Sequence, residues 1–169
     1  MISEKMESAL NAQINKELYS SYLYLSMAAF LRSQNLEGFA NWMNVQAEEE
    51  TAHAIAILNF IIDRGGKVTL ESIDKPPSQF ASVLDVFEVA LAHEVYISTL
   101  INTLATFAEE ENDRAAQSFL KWYIDEQVEE ESSAQNIVAK LKFINCSPGA
   151  VLQLDKQMAK RTFVKPEIK

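Results

Sequence analysis

The sequence predicts an all-α fold, a four-helix bundle with a short fifth helix after it, and three observations carry that prediction. Glycine and proline number only four each in 169 residues, and two of the prolines are the adjacent Pro76-Pro77, so long stretches lack the residues that interrupt helices. Apolar side chains recur at three- and four-residue steps in four long runs, the period of a helix with one buried face. Short connections join the first run to the second and the third to the fourth, whereas a long one separates the two pairs.

The first helix runs from about Glu4 to Ser33, with Leu10, Ile14, Tyr24, Met27, Ala28 and Leu31 on one stripe. The second begins near Leu36 and carries Phe39, Met43, Ala47, Ala54, Ile57, Phe60 and Ile61. It stops at Gly65-Gly66, because glycine takes up helix-ending backbone angles without steric cost. From about Gly65 to Ala81 the chain shows no periodicity and holds the proline pair and Ser78, which reads as a long connection. The third helix follows with Val83, Val86, Phe87, Ala90, Ile97, Ile101, Leu104 and Ala108. After the polar turn Glu111-Asn112-Asp113, the fourth carries Leu120, Tyr123, Ile124, Ile137, Val138 and Leu141. Ser147-Pro148 opens the fifth, a capping side chain followed by proline at the first helical position. The expected organisation is one domain over residues 1–169, with the bundle at about 4–143 and the fifth helix at about 147–160.

Connections of two or three residues force each helix pair into an antiparallel hairpin. A helix of about 28 residues is about 42 Å long, and a connection of about 17 extended residues reaches about 55 Å. The long link can therefore cross the bundle and leave the second and third helices parallel. A compact antiparallel loop also fits that length; the crossover is the preferred arrangement.

Composition narrows the partners. Hydrophobic residues at 48% and charged residues at 23% are those of a globular chain. A net charge of −9 argues against nucleic acid and anionic membrane and is compatible with cationic ligands. No apolar run reaches the length of about 18 uncharged residues that a spanning helix needs. The single Cys146 makes no internal disulfide, and the Met1-Ile2-Ser3-Glu4-Lys5-Met6-Glu7 start lacks the basic-then-apolar order of a secretory signal, so a cytoplasmic location is expected.

The stripes contain the wrong residues for a purely apolar core. Glu17 lies at seven-residue steps from Leu10, Tyr24 and Leu31, Glu94 interrupts Phe87, Ala90, Ile97 and Ile101, and Gln127 interrupts the fourth stripe. The second helix offers Glu50-x-x-His53 and the fourth Gln127-x-x-Glu130, a spacing that places two side chains on one face about a turn apart. All lie near the middle of their helices and can meet at one depth. Buried carboxylates need compensation, and Lys16, Arg114 and Lys121, the nearest basic residues, lie off the inward stripes, which leaves a metal as the counter-charge. Oxygen ligands with one imidazole and no thiolate suit iron or manganese better than structural zinc. Taken singly, each of these glutamates reads as a solvated surface residue; the weight lies in four helices offering one chemistry at one depth. His93, adjacent to Glu94, turns about 100° away and reads as surface or interface.

The pattern resembles the ferritin-like di-iron bundles, in which two helices give a Glu each and two give Glu-x-x-His. Glu17, Glu94 and Glu50-x-x-His53 match, whereas Gln127-x-x-Glu130 replaces the second motif. That departure, together with Asn15-Lys16-Glu17-Leu18-Tyr19-Ser20-Ser21-Tyr22-Leu23-Tyr24, Glu37-Gly38-Phe39-Ala40-Asn41-Trp42 and Asp125-Glu126-Gln127-Val128-Glu129-Glu130-Glu131, is similar to the prokaryotic non-haem ferritins over nearly the whole chain. The resemblance implies iron storage and ferroxidase activity, with one iron on Glu17, Glu50 and His53 and the other on Glu50, Glu94, Gln127 and Glu130. It further implies a third iron position at Glu49, Glu126, Glu129 and Glu130, and a site tyrosine at Tyr24. Haem-binding relatives place Met where this chain has Thr51, so no haem is expected. The implied partners are O₂ or hydrogen peroxide and further copies of the chain, twenty-four in a closed shell. Glu48 and Glu131 read as solvated, and Glu109, Glu110, Glu111 and Asp113 as a solvated turn in preference to an iron entry route. The rivals are a di-iron carboxylate oxidase or peroxidase that stores nothing, and a bundle without metal.

Overall fold

A computed structural model describes residues 1–168; Lys169, the last residue of the expected domain, lies outside the described residues. The periodic runs fold as α1 (Glu4–Ser33), α2 (Glu37–Asp63), α3 (Val83–Glu110), α4 (Arg114–Phe143) and α5 (Pro148–Met158), with no strand among the described residues. Short polar side chains set three of the starts by accepting a backbone N–H that has no helical partner: Ser3 from Met6, Ser82 from Asp85 and Asp113 from Ala116. α2 starts behind Leu36 without a side-chain cap, and α5 starts with proline in its first turn while Ser147, expected to cap it, makes no side-chain cap hydrogen bond. Both tight turns use an asparagine with positive φ, Asn35 at 59° and Asn112 at 55°, a conformation in which asparagine is the least strained residue after glycine.

The long connection answers the question that its length left open. Asn11 donates to the Lys67 carbonyl, Asn15 to the Ser72 carbonyl, Ser26 to the Pro77 carbonyl, and Phe30 meets Phe80 edge-on. The strand thus climbs α1 from its N-terminal to its C-terminal end and delivers α3 at the far side of the bundle. Tyr24 then meets Glu94 and Lys5 meets Glu111, so α3 runs antiparallel to α1 and parallel to α2. α4 returns against α2, with Gln46 on Glu130, Tyr123 on His53 and Arg64 on Asp113. The last pair is bidentate, at 3.0 Å for both contacts, and fixes the end of α2 to the start of α4.

Two apolar clusters fill the interior. One gathers Met27, Leu31, Phe39, Met43, Phe87 and Leu141 with Val151 and Leu154 of α5. The other gathers Met6, Leu10, Ile57, Ile61, Ile101 and Leu120. Of the stripe residues, Phe60, Val83 and Ile124 are only half-buried. α5 sits on the start of α2, where Asp155 accepts from the Phe39 N–H at 2.8 Å. The contact requires Gly38, since a Cβ there would lie 1.7 Å from the Asp155 carbonyl oxygen. Between the two apolar clusters lies a polar layer.

Candidate metal centre

Glu17, Glu50, His53, Glu94, Gln127, Glu130 and Tyr24 are all buried in that layer, the most exposed of them at 6%. The stripes therefore point where their periodicity said, and four helices do converge at one depth. Within the layer the side chains fall into two groups.

The first group comes from α1 and α2. Glu17, Glu50 and His53 each place a ligand atom within 4.8 Å of the others, a spacing that could hold a metal ion. Glu17 accepts from the Gln13 amide at 2.8 Å and shares a hydrogen bond with Glu50, so one of the two carboxyls carries a proton when no cation is near. Burial raises the pKa of both, Glu50 the more, and the charges of Glu94 and Glu17 add to that of Glu50. His53 is the least satisfied member. Its Nδ1 lies 3.6 Å from Glu50, too far for a hydrogen bond, and its buried Nε2 has no partner. Burial lowers its pKa to about 4, so the ring is a neutral imidazole with a lone pair available to a metal. Tyr123 donates to the His53 carbonyl at 2.8 Å, and Trp122 packs edge-on to the ring at 5.3 Å.

The second group comes from α3 and α4 and is internally bonded. Glu94 accepts from the Tyr24 hydroxyl and from the Gln127 amide at 3.1 Å. Gln127 also donates to the Glu94 carbonyl at 3.2 Å and reaches Ser98 at 3.3 Å. Glu130 accepts from Gln46 at 2.7 Å. Burial, then the charge of Glu130, pushes Glu94 from 4.5 up to about 8. Ionising it in the closed layer at high pH thus costs about 5 kcal/mol, at about 1.4 kcal/mol per unit, comparable with the whole stability of many domains. Burial raises Glu17, Glu50 and Glu130 in the same direction and so favours their protonated forms.

Beside the layer, Glu49 and Glu126 are half-buried and Glu129 is exposed. Burial raises Glu49 and Glu126 to about 7, and each feels the charge of Glu130. Glu48 is exposed as expected, but Glu131 is half-buried and takes a hydrogen bond from Ser98. His93 differs too from its surface reading: it is half-buried and bonds Ser20 at 2.7 Å. Glu109, Glu110 and Glu111 are exposed, and Asp113 serves as cap and as partner of Arg64.

Three contributors fall outside the sequence pattern. Gln13 and Gln46 stand four residues before Glu17 and Glu50, a spacing that could have marked them, yet glutamine on a helix usually faces water. Arg161, beyond α5, pairs with Glu49, which corrects the expectation that no basic side chain reaches the acidic groups. No local pattern announces where a strand after a helix will return.

Carboxylates and one imidazole meeting in the middle of an antiparallel bundle are the arrangement of the ferritin-like carboxylate bundles. Residues 7–144 match the model of the Ferritin family, described as a ferritin-like domain. The chain is 42% identical over 161 residues to a bacterial non-heme ferritin of Bacteroides fragilis, covering 95% of this chain and 100% of that protein. It is 36% identical over 163 residues to one of Staphylococcus aureus, covering 96% and 98%. An open pore ferritin from the hyperthermophilic archaeon Archaeoglobus fulgidus superposes with a TM-score of 0.95 at 49% identity, over 96% of this chain and 100% of that one. The chain belongs to the ferritin family.

Proposed function

We propose that this protein detoxifies and stores iron, acting as a ferroxidase that oxidises Fe(II) at the polar layer and passes Fe(III) to a ferric mineral inside a shell of copies of itself. The observation that carries this reading is the triad of Glu17, Glu50 and His53, drawn within 4.8 Å of one another with an unpartnered imidazole nitrogen among them. One Fe(II) takes these three as ligands. The second takes Glu50, Glu94, Gln127 and Glu130, and a third position uses Glu49, Glu126, Glu129 and Glu130.

Iron is the substrate, and the residues do three things to it. Hard carboxylate oxygens prefer Fe(III) to Fe(II) and so favour loss of an electron. The shared Glu50 holds two ions close enough for one oxidant to draw an electron from each, which reduces O₂ to hydrogen peroxide or hydrogen peroxide to water. Hydrolysis of each Fe(III) to oxyhydroxide then releases three protons, of which reduction of the oxidant consumes one, and the half-buried Glu126 and exposed Glu129 beside the layer can pass on the two that remain. Tyr24 donates its hydroxyl to Glu94 and so holds that carboxyl in place for the second ion. Gln127, a neutral ligand, holds the second ion loosely enough for the product to leave.

A mineral needs a container larger than one bundle, and closed symmetry supplies it; twenty-four copies in the cytoplasm is the arrangement we favour. Replacing Glu50 and His53 together by Ala should abolish the fast phase of Fe(II) oxidation in stopped-flow absorbance, and an undiminished rate would contradict the assignment. Size-exclusion chromatography after aerobic iron loading separates storage from the rival oxidase or peroxidase, because only a storing shell elutes as a very large, iron-filled particle.

A further inference from the structure

The strand that follows α5 is pinned back onto α2. Asn41 donates to the Arg161 carbonyl at 2.9 Å and to the Met158 carbonyl at 3.4 Å, and Asp155 holds the Phe39 N–H. Those contacts fix where the Arg161 side chain can reach. Its guanidinium lies over the Trp42 ring at 4.5 Å, and Nη2 donates to Glu49 Oε2 at 2.5 Å. It acts by charge on Glu126 and Glu130 as well. Nη1 is buried and has no partner, so the pair is made with half of the donor fork unused.

This placement sets up a competition. A cation held by Glu49, Glu126, Glu129 and Glu130 would share the Glu49 carboxylate with Arg161, and it would meet a positive charge within hydrogen-bonding distance of its own ligand. The guanidinium and a metal ion are alternative counter-charges for one set of carboxylates. Leaving is feasible for the strand: the Arg161 side chain keeps 25% of its surface exposed. Beyond it, Phe163, Lys165 and Pro166 border an open cleft of about 1050 Å³ facing Thr51, Ile55 and Phe60, in place of a packed interface.

We propose that Arg161 is a displaceable counter-ion that gates the third cation position, so that an ion enters there only when the C-terminal strand lifts its guanidinium off Glu49 and Trp42. The inference rests on the reading of Glu49, Glu126, Glu129 and Glu130 as an iron position.

Anaerobic Fe(II) titration calorimetry of the intact assembled protein tests it, with Arg161→Ala, Arg161→Gln and Arg161→Ala/Glu49→Gln alongside. The first two equivalents should bind alike in all. The third should tighten on the order of tenfold in both single variants, the scale of one charge-assisted hydrogen bond, and disappear in the double variant. In the unmodified protein the third equivalent should also change tryptophan emission as the guanidinium leaves Trp42, a step that Arg161→Ala lacks. A third equivalent of equal affinity with and without Arg161, or none in any variant, would overturn the gate while two intact equivalents leave the di-iron centre standing. Loss of the first two equivalents from the unmodified protein would instead remove the di-iron reading, and the gate with it.

Discussion

The two helical hairpins bring unequal halves to the polar layer. The α1–α2 hairpin gives Glu17, Glu50 and His53, which have few donors of their own and leave an imidazole nitrogen without a partner. The α3–α4 hairpin gives Glu94 and Glu130, whose oxygens already accept from Tyr24, Gln127 and Gln46, and Gln127, whose amide donates. A buried polar group left unmatched costs about 1–3 kcal/mol, whereas a matched one costs little. The first half thus gains most from an ion. In the second half an ion would first have to break bonds that the protein makes without it, so on the proposed assignment the second position is built from satisfied groups and the first from unsatisfied ones.

The contrast breaks most completely in the Glu50→Ala/His53→Ala variant, where the unsatisfied half is gone and fast oxidation goes with it. Next in size is Gln127→Glu. It deletes the amide that Glu94 uses and adds a carboxylate, so the second half comes to resemble the first. Second-ion affinity in anaerobic calorimetry should rise on the order of tenfold, within the range that neighbours of a metal typically command. An unchanged second ion would mean that Gln127 is no part of its site.

Acidity sharpens the same comparison. Glu94, at 4.5 when unfolded and about 8 when folded, holds its proton more tightly in the fold. Its contribution to stability is complete below 4.5 and is lost as pH rises through about 8. Glu49 and Glu126, raised to about 7, act in the same direction over a narrower window. His53, lowered to about 4, acts in reverse: it favours the fold above 6.5 and loses that as pH falls through about 4. The carboxyls outnumber it, so the metal-free protein should melt progressively lower between about pH 6.5 and pH 8 in scanning calorimetry. Zn(II), a redox-inert ion, should restore most of the loss. A melting point that climbs across that interval would refute the proposed charge state of the layer. The smallest effect belongs to Tyr24→Phe, which leaves Glu94 with Gln127 alone and should cost about 1–2 kcal/mol of stability by denaturant titration, with oxidation slowed by less than about tenfold.

Much of this architecture was legible because it rests on local chemistry. Periodicity, the Gly65-Gly66 stop, the polar turn Glu111-Asn112-Asp113 and the Ser147-Pro148 pair mark the helix limits, so boundaries could be placed to within a residue or two. Glu17 and Glu94 stood out because period alone puts them among core residues. What stayed hidden depends on chain segments meeting at a distance. Length could not decide the crossover; Asn11, Asn15 and Ser26 do, by bonding the backbone of a strand more than fifty residues away. Arg161 was beyond reach for the same reason, since only the fit of Asp155 and Gly38 brings its strand back to Glu49. His93 shows the limit of helical geometry: a turn of about 100° from Glu94 moves it off the centre, but Ser20 on the neighbouring helix keeps it from water.

The single strand that climbs α1 has one more implication, for the order of assembly. Each hairpin closes through a three-residue turn, Gln34–Leu36 or Glu111–Asp113, and can form early from contacts near in sequence. The hairpins themselves come together only when that tether is wound along its helix, and Glu94 and Glu130 join Glu17 and Glu50, which already meet within the first hairpin, at that moment. Whatever neutralises them, proton or cation, is taken up in the closing step of folding. An ion that occupies the finished layer therefore favours the docked arrangement by mass action, and the cargo itself helps to complete its carrier.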